Sequence, residues 1–184
     1  MNTRTSLSPL LVPDMRTDHI VGSGASQVTV VEYGDFECPS CRQAHPAVKI
    51  LLAHFGDKVC YVFRHYPLRE VHPHAELAAE ASEAASAQHK FWPYHDLLFT
   101  HRQHLDKPHL FEFGEQLGLD MSRFRNEVED HVYLQRVQEQ VDSGRRVGVR
   151  STPAFYVDGV GTDVTFGLQH LHEAVDKALL ASAA

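Results

Sequence analysis

Two cysteines separated by two residues, Cys38-Pro39-Ser40-Cys41, stand where a β-branched run gives way to a helical pattern, and that placement constrains the chain most. Upstream, residues 27–33 carry Val28, Thr29, Val30 and Val31, the composition of a buried strand, which Gly34 and Asp35 end. From Pro39 onward, Ala44, Val48, Leu51, Leu52 and Phe55 recur at spacings of three and four. They define one apolar face of a helix that Gly56 stops and Pro46 is expected to kink. Residues 58–66, with Val59, Tyr61, Val62 and Phe63, read as a second strand. The chain therefore opens strand, helix, strand, a βαβ unit, with both thiols at the strand-to-helix turn.

Thiols three positions apart at a helix start lie on one turn, close enough to form a disulfide without refolding the backbone. Cys38 falls at or before the first turn, where unpaired N–H groups and the helix dipole stabilise a thiolate; Cys41 lies one turn deeper. Such placements lower a cysteine pKa from about 8.5 to roughly 3.5–7.5. Cys38 is then the nucleophile toward a disulfide, and Cys41 the thiol that resolves the mixed disulfide. The competing chemistry is half of a structural zinc site, which needs four ligands. No second Cys-x-x-Cys exists, and Cys60 with the fourteen histidines continues no finger spacing. The near-neighbour pairs His72 with His74, His101 with His104 and His170 with His172 are read as surface or capping residues, and no metal is assigned. Cys60, between Val59 and Tyr61, is read as a small buried hydrophobe. Three cysteines in 184 residues are too few for a disulfide scaffold.

The middle of the chain, from about Ala75 to Val147, is helical and alanine-rich, with breaks expected at Pro93, Pro108, Gly118 and Asp120. Asp106 before Lys107-Pro108 is expected to cap a helix. After Pro153, residues 154–157 form a short strand, Asp158-Gly159 a hairpin turn, and residues 163–166 the return strand; a helix over 168–180 closes the fold. A net charge of −7 with no basic cluster beyond Arg145-Arg146 and Arg150, read as a helix end, argues against nucleic acid as partner. No apolar stretch reaches the roughly 18 residues of a membrane span, and residues 1–27 lack a secretory pattern, so the expected setting is cytoplasmic, without a membrane partner.

The run Val30-Val31-Glu32-Tyr33-Gly34-Asp35-Phe36-Glu37-Cys38-Pro39-Ser40-Cys41 closely resembles the DsbA-like thioredoxin family. So, in the same order, do Phe63-Arg64-His65-Tyr66-Pro67-Leu68, Lys90-Phe91-Trp92 through His95-Asp96-Leu97-Leu98-Phe99, and Gly148-Val149-Arg150-Ser151-Thr152-Pro153. The resemblance runs from about Asp18 to the last helix. It implies an α/β thioredoxin fold, βαβ then ββα, with an all-helical insertion at about 68–147. The implied division is an N-terminal arm of residues 1–17 and one domain over 18–184. It implies further that Thr152-Pro153 is the cis pair facing the cysteines and docking substrate, with Pro39 and Ser40 on the same surface. Glu32, six residues before Cys38, would be the carboxylate that moves protons to and from the buried thiol; by itself, a glutamate in a valine-rich strand more often faces solvent. Two positions depart from the family. Ser40 stands where strongly oxidising members have histidine and offers no imidazolium to the Cys38 thiolate. Ser151 stands where a glycine is usual.

The expected function is thiol-disulfide exchange on protein or small-molecule disulfides, in the reductase or redox-buffering direction. It would use no cofactor beyond Cys38 and Cys41, together with an unidentified redox partner. The alternative is a non-catalytic binding or sensor module, since thioredoxin-like domains also occur attached to transporters. A kappa-type glutathione transferase on a similar fold would lack the second cysteine, which Cys41 supplies.

Overall fold

A computed structural model describes residues 8–101, 105–165 and 167–182. The chain divides into two compact units. The first comprises Met1–Tyr33, Pro46–Arg64 and Ser143–Ala184, the second Gly34–His45 and His65–Asp142. Sequence patterning suggested a helical insertion within one domain. In the structure the helical unit also takes in the Cys38–Cys41 segment, and the residues just before it, Gly34, Asp35 and Glu37, are anchored to Tyr66, Leu68, His72 and His74 by hydrogen bonds.

The first unit is built on a five-stranded mixed sheet in the order β1-β3-β2-β4-β5, with β1 His19–Val21, β2 Val28–Gly34, β3 Val59–His65, β4 Ala154–Val157 and β5 Val160–Thr162. β1 pairs antiparallel with β3, β4 with β2, and β5 with β4. β2 and β3 are buried almost throughout, which explains their near-continuous apolar character. Helix α1, Pro39–Phe55, runs as one helix through Pro46, and Gly56 follows it at φ 53°. The closing helix, α7, covers Gln169–Ser182 and packs on β4; burial of Leu171 and Val175 stabilises it by about 1.5–3 kcal/mol each. The buried Arg64 guanidinium draws the N-terminal arm down. It donates to Asp18 Oδ1 at 2.8 Å and Oδ2 at 2.7 Å, to the carbonyls of Leu10 and Val12, and to Tyr33 Oη at 3.1 Å.

The return strand differs from expectation. Asp158 (φ 46°) and Gly159 (φ 76°) form a two-residue turn, so pairing resumes at once at Val160; residues 163–165 lie outside any strand, and Phe166 falls outside the described residues. Asp158 extends the sheet beyond its strand, since Thr29 N–H donates to its carboxylate and its own N–H donates to Thr29 O, both at 2.8 Å.

The second unit packs α2 Ala75–Ser86 against α3 Phe91–Thr100, α4 Lys107–Gln116 and α5 Met121–Glu129. Alanines along α2 are fully buried, which lets neighbouring helices approach closely. Helix α6, Leu134–Val147, spans both units, and Gly148 (φ 91°) terminates it. Asp106 caps α4, accepting from His109 N–H at 3.2 Å, as its position before Lys107-Pro108 suggests. Pro93 does not break the chain. It is the third residue of α3, where its missing N–H has no intrahelical partner to lose, and the break lies instead at residues 87–90, with His89 at φ 60°. A second break, around His131 (φ 52°), carries no proline or glycine to announce it.

Candidate active site

The end of β2 and the start of α1 are joined by four residues whose polar groups converge on Asp35. Cys38 N–H donates to Asp35 O at 3.2 Å, and Arg42 N–H donates to Cys38 O at 3.1 Å, the first intrahelical bond. Cys38 is therefore the N-cap residue, with Pro39 at N1, where proline costs no hydrogen bond, and Cys41 at N3. Cys38 is 6% exposed and Cys41 0%, while Pro39 and Ser40 between them are exposed. The N-cap thiol is thus the one with a route to solvent, and it stands at the positive end of the helix dipole.

The Asp35 carboxylate is wholly buried and accepts three hydrogen bonds at 2.8 Å: from Glu37 N–H, from Leu68 N–H and from His72 Nδ1. Its backbone N–H donates to Cys41 Sγ at 3.4 Å, a bond that favours negative charge on the inner sulfur. Glu37 accepts from His74 N–H at 2.7 Å and lies 3.1 Å from His74 Nδ1. The two carboxylates flanking the motif are thus each held by a histidine. Sequence reading took Asp35 as the end of a strand, gave Glu37 no place in the site, and took His72 and His74 as surface or capping groups. The signal for the Asp35 turn was an aspartate two residues before a polar backbone donor at a strand end. His74 does precede α2 as its N-cap residue, His101 follows α3, and His104 lies outside the described residues.

The remaining predicted residues belong to the first unit. Glu32 does not face solvent: it is 3% exposed and accepts from Tyr61 Oη at 2.6 Å, its backbone opposite Phe155 in the β2–β4 register. Alternation on an isolated strand would place a charge outward, but the sheet is covered on both sides here. The Thr152-Pro153 peptide is cis, and Thr152 is buried. Cys60 is buried in β3; burial first, then the Asp18 charge, pushes its thiol pKa up, so it is the least reactive kind of cysteine. No helix among the described residues is long and apolar enough to cross a membrane.

Among solved structures, the chain is similar to a thioredoxin-like oxidoreductase from Silicibacter pomeroyi at 25% identity and a TM-score of 0.80, over 92% of this chain and 95% of that one. It shares the fold of oxidised BdbD from Bacillus subtilis at 20% identity and a TM-score of 0.82, over 91% and 96%. Wolbachia pipientis α-DsbA1 matches at 20% identity and 0.80, over 95% and 96%. Curated relatives carry another name. A Na(+)/H(+) antiporter NhaA 1 of Salinispora arenicola is 45% identical over 92% of this chain, and an antiporter NhaA of Herminiimonas arsenicoxydans 42% identical over 83%. This chain spans only 26% and 24% of those two proteins, about a quarter of their length. A family model described as Thioredoxin matches residues 14–177, and with the cis-proline and the thiol pair on a strand-to-helix turn this places the chain in the thioredoxin family.

Proposed function

We propose that this chain is a thiol-disulfide oxidoreductase acting through Cys38 and Cys41, with no cofactor beyond the pair. The observation that carries the reading is the asymmetry of the two thiols: an N-cap cysteine with access to solvent and an enclosed one three residues on. The Cys38 thiolate attacks one sulfur of a substrate disulfide and expels the other as a thiolate. Cys41, deprotonated, then attacks the Cys38 sulfur and releases the second substrate thiol. Two electrons pass to the substrate, the pair closes as a disulfide, and an external thiol reductant reopens it. Glu32 is the proposed proton-handling carboxylate, and Thr152, Pro153, Pro39 and Ser40 are the proposed substrate-binding residues, as the family resemblance implies.

The proposed direction is reductive or redox-buffering, in a reducing compartment such as the cytoplasm, on protein or small-molecule disulfides. Its support is Ser40, at the exposed N2 position: a hydroxyl offers Cys38 a neutral hydrogen bond where an imidazolium would offer a full charge. A less stabilised thiolate means a less stable reduced form and a lower potential. A second reading, a docking or redox-sensing module of a transporter, is favoured by the antiporters in which a segment like this one makes up about a quarter of the protein.

The discriminating experiment is trapping. Cys41→Ala should accumulate mixed disulfides with thiol-disulfide substrates, because the first attack survives and resolution does not, whereas Cys38→Ala should accumulate almost none. Equal trapping by both variants, or none by either, would reject the catalytic reading and leave the docking module.

A further inference from the structure

Helices α1 and α3 bring together three donor side chains that the thiol pair and its anchoring turn do not use. His45 lies one turn beyond Cys41 on α1, and His95 and Asp96 are consecutive on α3. His45 Nε2 stands 2.8 Å from Asp96 Oδ1, and His95 Nδ1 stands 3.3 Å from the same oxygen. One ligand atom from each of the three residues lies within 4.8 Å of the others. Zinc held tetrahedrally at about 2.0–2.2 Å sets neighbouring donor atoms about 3.3 Å apart. The His95–Asp96 edge already has that length, and the shorter His45–Asp96 edge, now a hydrogen bond, opens by about 0.5 Å to admit the ion.

The surroundings hold both rings in place. His95, its side chain 4% exposed, meets Phe36, Phe91, Trp92 and Phe99 with ring centroids 4.8–5.7 Å away, and His45 stacks on Phe99 at 5.2 Å. Asp96 is 40% exposed, which gives an ion a way in and leaves room for water as a further ligand. One imidazole would suffice for a histidine–aspartate ion pair. Here two imidazoles converge on a single carboxylate oxygen, a ligand set shared with open zinc sites.

We propose that His45, His95 and Asp96 form a binding site for a first-row divalent metal ion, zinc(II) foremost, open to solvent on the Asp96 side. Sequence reading assigned no metal because it looked for ligands at short spacing, and His45 stands some fifty residues from its partners. The site is independent of the redox reading, since it uses neither cysteine.

Cobalt(II) is the probe of choice, added to the full-length chain after oxidation of its accessible thiols. The expected result is saturation at one equivalent, weak visible d–d bands without an intense sulfur-to-cobalt band, and displacement by zinc(II). His45→Ala and Asp96→Asn should each weaken binding by about tenfold or more, while His54→Ala, elsewhere on α1, leaves it unchanged. On the unaltered chain, zinc should protect His45 from acylation by diethyl pyrocarbonate, a readout that needs no variant to fold. Absence of one-equivalent saturation, a sulfur-to-cobalt band, unchanged affinity in both variants, or an unprotected His45 would each overturn the proposal.

Discussion

Lowering the pH from 7 to 5 in the presence of a chelator should destabilise the fold by an amount that His95 largely sets. Its imidazole is enclosed by four aromatic rings, and burial brings its pKa from 6.5 down to about 4, against the smaller opposing pull of the hydrogen bond to Asp96. Between those values the unfolded chain takes up a proton that the folded chain refuses, so stability is fully present above pH 6.5 and falls as the pH drops toward 4. A separation of that size is worth roughly 3 kcal/mol over the whole window and about 2 kcal/mol between pH 7 and 5. Urea unfolding at pH 7, 6 and 5 measures the loss, and the upper half of the window lies above the range where ordinary carboxylates begin to protonate. The proton can be assigned by NMR, where the His95 ring should keep its neutral chemical shift at pH 5. A ring that titrates near 6.5, or an unfolding free energy flat from pH 7 to 5, would refute the reasoning.

Ser40→His should raise the reduction potential of the Cys38–Cys41 couple by roughly 30 mV or more, the equivalent of about 1.4 kcal/mol of added thiolate stabilisation, read by equilibration with glutathione buffers. The unaltered chain should lie below the roughly −120 mV of the strongest oxidants, and a value there would refute the reductive reading. Alkylation of Cys38 should be faster than that of Cys41 and should titrate below the ordinary cysteine value; the opposite order would reverse their roles. Arg64→Met strands the buried Asp18 carboxylate and should cost about 3–5 kcal/mol in denaturant unfolding. Asp106→Ala should cost only about 1 kcal/mol, the loss of one cap.

What the sequence made legible was local. The thiol pair, α1, the cap at Asp106 and the Asp158-Gly159 turn each depend on residues within a few positions of one another. The misses have nonlocal causes. β1 is three residues long, too short for any period to register, and exists because His19–Val21 align with Phe63–Tyr61 across the sheet. β5 is placed by the length of the turn before it rather than by its own apolar content, since two of its three residues are exposed. The burial of Glu32 follows from Tyr61, a partner on another strand whose approach no strand pattern encodes. His45, His95 and Asp96 meet only once α1 and α3 are packed, a proximity that spacing along the chain does not encode.

Asp35 has a consequence for how a chain like this can change. Every polar group of that residue is committed to the turn: both carboxylate oxygens, the carbonyl that receives Cys38 N–H and the N–H directed at the inner sulfur. The two residues between the cysteines are exposed and take no part in this anchoring. The bonds that hold the turn in place therefore belong to Asp35 and its partners, and none of them to the dipeptide. Exchange of the Pro39-Ser40 dipeptide is accordingly expected to leave that scaffold intact.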